Sequence, residues 1–215
     1  MLLLALDTAT PAVTVAVHDG KRVQAESTTV DPRRHTELLM PQVTAALSDA
    51  GAARTDLTEI AVGVGPGPFT GLRVGLAAAR MLGDVLGLPV RGVCSLDIIA
   101  RSARHYAGSP FLVATDARRR EVYWAGYDAS GARTAGPDVG AAADVVAEHG
   151  DLPVAGLGGT RYADVFARLI TPEYPSAAEL AAGVADGTLD VVAPDPLYLR
   201  RPDAALPSAR KSVLA

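Results

Sequence analysis

The chain has 215 residues, 49% of them hydrophobic, which is enough for one large domain or two small lobes with their own cores. Its formal net charge of -4 excludes a global basic field of the kind that holds nucleic acid. The single cysteine, Cys94, excludes an internal disulfide and any cysteine-cluster metal site. The chain has no Asn and only two Lys, Lys21 and Lys211, so its many arginines reflect a biased composition and weigh less as phosphate contacts than usual.

Met1–Leu6 is apolar, lacks a basic flank and meets Asp7 at once, so it is predicted to be a strand and not a leader. No run approaches the roughly 20 apolar residues of a membrane span, and a cytoplasmic protein is expected. Val13, Val15 and Val17 alternate up to Asp19-Gly20, a predicted type I′ turn, and Arg22–Thr28 returns as the other arm of a hairpin. A helix over His35–Ala50 places Leu39, Val43, Ala46, Leu47 and Ala50 on one side, with Pro41 inside it and Gly51 after it. Glu59–Val64 is the next strand. A glycine- and proline-rich turn leads into a helix over Thr70–Leu86, with Thr70 as its expected N-cap. Pro89–Val93 is a further strand, and a helix runs from Ser95 or Asp97 to about Tyr106.

Three meandering strands followed by helix–strand–helix–strand–helix is the order of a ribonuclease-H-like half, a mixed sheet with helices on both faces. The cycle restarts at Phe111–Thr115, which ends at Asp116 as Leu2–Leu6 ends at Asp7. Glu121–Tyr127 and a weaker returning strand follow. Then come a short helix over Ala141–His149, a strand over Pro153–Leu157, and helices near Tyr162–Leu169 and Ser176–Gly183. No second glycine loop with a long helix is present, so the fold class is α/β, two-lobed, with a reduced second lobe. Residues 1–107 form the first lobe, 108–202 the second, and 203–215 a flexible tail.

Gly63–Gly83 has the form of a phosphate cradle, a strand, a glycine turn and a helix start. A Walker A loop needs Lys and Ser or Thr after its glycine, but Gly71 is followed by Leu72; a dinucleotide motif needs glycine where Pro68 stands. Asp7, Thr8, Thr10, Gly65, Gly67 and Thr70 remain as a vestigial ligand site. Gly71, Gly75, Ala79 and Gly83 recur every four residues. Each interior glycine costs about 1 kcal/mol relative to alanine, so another backbone is expected close against this stripe, from this chain or from a partner.

Asp7 and Asp116, at corresponding strand ends, are the acids that could hold a metal or a water; a turn role is the alternative. His18, His35, His105 and His149 have no metal-ligand spacing, and Cys94 is expected to be a buried small apolar residue. Arg118-Arg119-Arg120 is either a solvated hairpin entry or a contact for an anion such as RNA.

LDTAT at Leu6–Thr10, RHTELLMP at Arg34–Pro41, GVGPGPFTGLRVGLAAAR at Gly63–Arg80, DARRREVYWA at Asp116–Ala125, YPSAAELA at Tyr174–Ala181 and PLYLR at Pro196–Arg200 together resemble the bacterial TsaB (YeaZ) family. Pro68 departs from it, because the family usually has serine there. The resemblance implies a two-lobed fold of the actin and Hsp70 type. It also implies a non-catalytic scaffold in making threonylcarbamoyladenosine in tRNAs that read codons starting with A. The implied partners are a catalytic TsaD-like paralogue and a TsaE-like ATPase, with tRNA met only indirectly. A homodimer in isolation is an open alternative. No cofactor is implied for this chain alone, ATP and threonylcarbamoyl-adenylate being used by the complex. It implies a partner interface on the helices at His35–Ala50 and Thr70–Leu86, through Leu39, Val43, Gly71, Leu72, Gly75, Leu76 and Ala79. The competing functions are a free-standing small-molecule kinase using Asp7 and the glycine loop, and a peptidase.

Overall fold

The structure is a computed structural model and describes residues 1–200. Its first sheet has the order β3-β2-β1-β4-β5, formed by β1 (Leu3–Asp7), β2 (Ala12–His18), β3 (Val23–Val30), β4 (Glu59–Gly63) and β5 (Val90–Val93). β1 runs antiparallel to β2, with Leu4 opposite Val17, and parallel to β4, with Leu4 opposite Ile60. Three helices are threaded through this half: α1 (His35–Asp49), α2 (Phe69–Leu86) and α3 (Ser95–Ala107). The turn between β2 and β3 is longer than the predicted type I′ pair. Only Gly20 has positive φ (91°), and the Asp19 carboxylate accepts from the amides of Lys21 and Arg22, so the returning strand starts at Val23.

β1, β2 and β4 are buried on both faces, and period-2 alternation sorts their side chains. Leu4, Leu6, Val15, Val17, Ile60 and Val62 meet α1 and α2. Leu3, Ala5, Ala16 and Ala61 face the other way, toward Ile98 of α3 and toward Ala177, Leu180 and Ala181 of α6 (Ala177–Ala185). Apart from Leu3 the sheet residues named on this second face are alanines, and α6 sets two alanines beside Leu180, so the helix lies close to the strands.

The second sheet has the order β8-β7-β6-β9, from β6 (Phe111–Asp116), β7 (Glu121–Tyr127), β8 (Arg133–Ala141) and β9 (Val154–Ala155). β6 is antiparallel to β7 and parallel to β9, the pattern of β1 with β2 and β4. This repeats the first sheet without its last strand. β8 is nine residues long although it carries Pro137 and little apolar alternation; it lies at the sheet edge, where a proline costs no ladder bond. α4 (Ala142–His149) follows it, and α5 is Leu157–Arg161. The helix predicted over Tyr162–Leu169 is instead a set of turns. The helical residues come earlier because Gly158 packs on β6, where a Cβ would lie 2.8 Å from the Ala114 carbonyl carbon.

Two features cut across the predicted division at 107/108. α6 belongs by packing to the first sheet, and Leu189 joins it there. The segment after it then runs back along the first half: Val192 bridges Gly92, and the Leu197 amide donates to the Val64 carbonyl at 2.8 Å. A lobe spanning 108–202 is therefore not one packing unit. The tail at 203–215 lies outside the described residues. α3 joins the halves from inside, its Leu96, Ile99, Ala100 and Ala103 meeting Phe111, Val113, Ala125 and Tyr127.

Candidate functional site

The loop after β4 is shaped by what crosses it. A Cβ on Gly63 would lie 1.7 Å from Asp7 Oδ2, and one on Gly67 would lie 2.0 Å from the Ala9 carbonyl oxygen. α2 begins at Phe69 with Pro68 in the cap position, so Thr70 sits within the first turn and is not the cap. Thr8 accounts for the glycines that follow. Its Oγ1 donates to the Gly71 carbonyl at 2.7 Å and accepts from the Gly75 amide at 2.9 Å, the two groups that an i→i−4 helix bond joins. A Cβ on Gly75 would stand 2.5 Å from that hydroxyl, one on Gly71 would stand 2.8 Å from the Thr8 carbonyl oxygen, and one on Gly83 would stand 2.4 Å from Val90 Cγ2.

The stripe is thus filled from within the chain. Leu39, Val43, Gly71, Leu72, Gly75, Leu76 and Ala79 are all buried in the first core, so none of the seven predicted interface residues is available to a partner. What α2 turns outward is Phe69, Arg73, Ala77, Arg80, Met81 and Val85, with Met81 54% and Val85 77% exposed. α1 packs beside it and exposes Pro41, Thr44 and Ala45.

The two halves enclose a cleft of about 1140 Å³. Thr8, Thr10 and Thr70 of the predicted ligand set line it, whereas Asp7, Gly65 and Gly67 do not. Asp7 is fully buried below the floor. Its Oδ2 accepts from Ser95 Oγ at 2.5 Å, its Oδ1 accepts from the Ala9 amide at 2.8 Å, and Ser95 Oγ in turn accepts from the Gly65 amide at 3.2 Å. Burial pushes its carboxyl up to about 6, against the lowering pull of Ser95, the Ala9 amide and the charge of His35. His35 Nε2 donates to the Thr10 carbonyl at 2.8 Å and ties the start of α1 to the β1–β2 turn.

Asp116, its counterpart, lies at the cleft and is occupied differently. Its Oδ1 accepts from Tyr162 at 3.2 Å and from the Arg118 amide at 3.0 Å, and Arg161 approaches to 3.5 Å. Arg118, Arg119 and Arg120 follow it with φ of 61°, 55° and 64°, three consecutive left-handed residues without a glycine. All three line the cleft, joined by Arg33, Arg161 and Arg200. Arg200 also donates to the Ala117 carbonyl and pairs with Glu121. Sequence reasoning found the triplet but missed the other three, which are scattered over more than 160 positions and share no local pattern.

Cys94 is buried, with its thiol pushed up to about 12 by that burial, so it is inert as a nucleophile near neutral pH. Among the described residues no group of three or more His, Cys, Asp or Glu side chains is placed to hold a metal, and no helix is long and apolar enough to cross a membrane.

Two related mixed sheets, helices on both faces and a cleft between them define a two-lobed α/β protein of the actin and Hsp70 type with a reduced second lobe. The ethanolamine utilization protein EutJ of Carboxydothermus hydrogenoformans shares the fold at TM-score 0.50 and 12% identity, over 85% of this chain and 89% of its own. The family model described as TsaD, tRNA N6-adenosine threonylcarbamoyltransferase, matches residues 22–175. YeaZ from Pseudomonas aeruginosa superposes at TM-score 0.74 with 32% identity, covering 92% of this chain and 99% of its own. An uncharacterized protein of Mycobacterium tuberculosis is 51% identical over 94% of this chain and 93% of its own length. The tRNA threonylcarbamoyladenosine biosynthesis protein TsaB of Escherichia coli is 41% identical over 59% of this chain and 55% of its own. The chain belongs to the TsaB/YeaZ family.

Proposed function

We propose that this chain is a non-catalytic subunit in the synthesis of threonylcarbamoyladenosine on tRNAs that read codons starting with A. Its partners in this reading are a TsaD-like catalytic paralogue and a TsaE-like ATPase, in the cytoplasm, and the chain holds no cofactor of its own. The observation that carries the reading is the placement of Asp7. The strand-end acid that would position a cation or water is sealed under the cleft floor, where it joins β1, the glycine loop and α3 through Ser95. Relatives that bear the TsaB name supply the pathway.

The partner surface proposed is the outward face of α1 and α2, through Pro41, Ala45, Ala77, Met81 and Val85. These residues replace the buried set that the sequence pointed to. Exposed apolar side chains beside alanines let a second helix pair approach closely, and the same face serves a copy of the chain when no paralogue is present.

The test is complementation. In cells depleted of their own TsaB, expression of this chain restores threonylcarbamoyladenosine in tRNA hydrolysates measured by mass spectrometry. Failure to restore it with a folded chain and a matched TsaD-like protein present, or ATP turnover by the isolated chain, overturns the reading.

A further inference from the structure

The cleft is basic in a chain that is acidic overall. Six arginines line it, Arg33 from the first half, Arg118, Arg119, Arg120 and Arg161 from the second, and Arg200 from the returning C-terminal segment. The acid at its wall, Asp116, is already engaged by Arg161 and Tyr162. Arg33, Arg118 and Arg120 are exposed and enter no ion pair among the described residues. Left-handed backbone costs an L residue about 1–2 kcal/mol, so three arginines held there in sequence are a strained arrangement kept where glycine would be free of strain. Of the aromatic rings that line the cleft, Tyr123 is buried, and Phe69 carries the Arg73 guanidinium 3.4 Å from its centroid and stacks on Tyr198, so the half-buried Tyr162 is the ring left to meet a ligand.

The chemistry of the walls chooses among anions. A nucleoside triphosphate travels with a divalent cation, which sites usually meet with one or two carboxylates beside the phosphates. Asp7 is buried and bonded to Ser95, and Asp116 is held by its arginine and tyrosine. Guanidinium groups spread over both walls, with the half-buried Tyr162 ring among them, instead match a strand whose successive phosphates need no metal.

We propose that the interlobe cleft binds single-stranded RNA, its phosphodiester backbone held by Arg33, Arg118 and Arg120 and a base laid against Tyr162. This departs from the expectation that RNA is met only indirectly. It rests on the cleft alone and stands whether or not the scaffold reading does.

The test is fluorescence anisotropy of the isolated full chain with a labelled single-stranded RNA of about ten nucleotides, within the usual site size for such grooves. The wild type binds, and the log of its affinity falls with log salt. The triple variant Arg33→Glu/Arg118→Glu/Arg120→Glu weakens binding at least about tenfold and flattens the salt slope by about 2, as expected for three lost phosphates on a single strand. Arg22→Glu/Arg54→Glu, which reverses two exposed charges outside the cleft, stays within about threefold of wild type. If the triple variant loses its fold by circular dichroism, Arg118→Gln/Arg120→Gln replaces it, with an expected slope change of about 1.4. An unbound wild type, a cleft variant that binds as tightly as wild type, or an outside variant that loses as much each overturns the proposal. So does displacement of the RNA by magnesium-ATP at lower concentration than by unlabelled RNA, which assigns the cleft to a nucleotide.

Discussion

Thr8 and Gly75 share one hydrogen bond across two elements, the Gly75 amide of α2 donating to the Thr8 hydroxyl at the end of β1 at 2.9 Å. With the second bond to the Gly71 carbonyl, the hydroxyl engages both groups of one helical rung and clamps α2 to the first sheet. Gly75→Ala gains about 1 kcal/mol of helix propensity but forces its Cβ against that hydroxyl and breaks two buried bonds worth about 1 kcal/mol each or more. A net loss of about 1–2 kcal/mol is expected, lowering Tm by roughly 2–8 °C in a chain of this size. In Thr8→Ala/Gly75→Ala the obstacle is gone, and the Gly71 carbonyl and the amide at position 75 bond each other alone. The double variant is therefore more stable than the sum of the two single losses, and a thermal double-mutant cycle that came out additive would count against the clamp.

Asp7 makes stability depend on pH in a defined window. Its folded carboxyl titrates near 6 and its unfolded one near 3.8, so the folded state binds the extra proton between these values. Stability from this group is greatest below about 4, falls as pH rises toward 6 and is level above. Asp7→Asn mimics the protonated form and removes that dependence. The stability of Asp7→Asn minus that of wild type, from urea unfolding, should rise by about 2–3 kcal/mol from pH 4 to 7. A difference that stays flat across the window contradicts the burial of an ionisable Asp7.

Met81 and Val85 provide a direct check on the partner surface. Both are exposed on α2, so Met81→Asp/Val85→Asp should leave urea stability within about 0.5–1 kcal/mol of wild type. The same variant should lose copurification with a TsaD-like partner. Retention of the partner by the variant would move the interface elsewhere.

Arg118 carries backbone strain that glycine would release. Arg118→Gly should gain about 1 kcal/mol in urea unfolding while weakening any anion held in the cleft. A loss of stability would mean that the side chain contributes more to folding than its backbone costs.

Much of the architecture was legible because burial writes itself into the chain as alternation. Val13, Val15 and Val17 and the apolar run at Leu3–Leu6 gave the central strands, and the repeat at Phe111–Asp116 gave the second half. The helix predicted over Tyr162–Leu169 failed because Gly158 and Gly159 look like breakers, yet Gly158 is what lets α5 lie on β6 and Gly159 packs it against Val154 of β9. The glycine stripe was recognised as a surface of close approach, but a list of small residues does not say what fills the space beside them. Thr8 fills it, from 63 positions away. The rest of the cleft's arginines were illegible for a similar reason: Arg33, Arg161 and Arg200 join the Arg118–Arg120 triplet around one cleft only when both sheets are in place.

α6 has a consequence for how the protein is made. Ala5, Ala16 and Ala61 of the first sheet have their cover in residues 177–185, near the far end of the described chain. The usual order on the ribosome, in which an N-terminal unit completes itself before the next emerges, is closed to this molecule. Its first sheet leaves the exit tunnel with one apolar face covered only in part, by Ile98 of α3, and waits for most of translation until α6 arrives. A nascent chain of this kind is exposed to chaperones on that face, and a premature stop anywhere before residue 177 leaves a half that cannot finish folding.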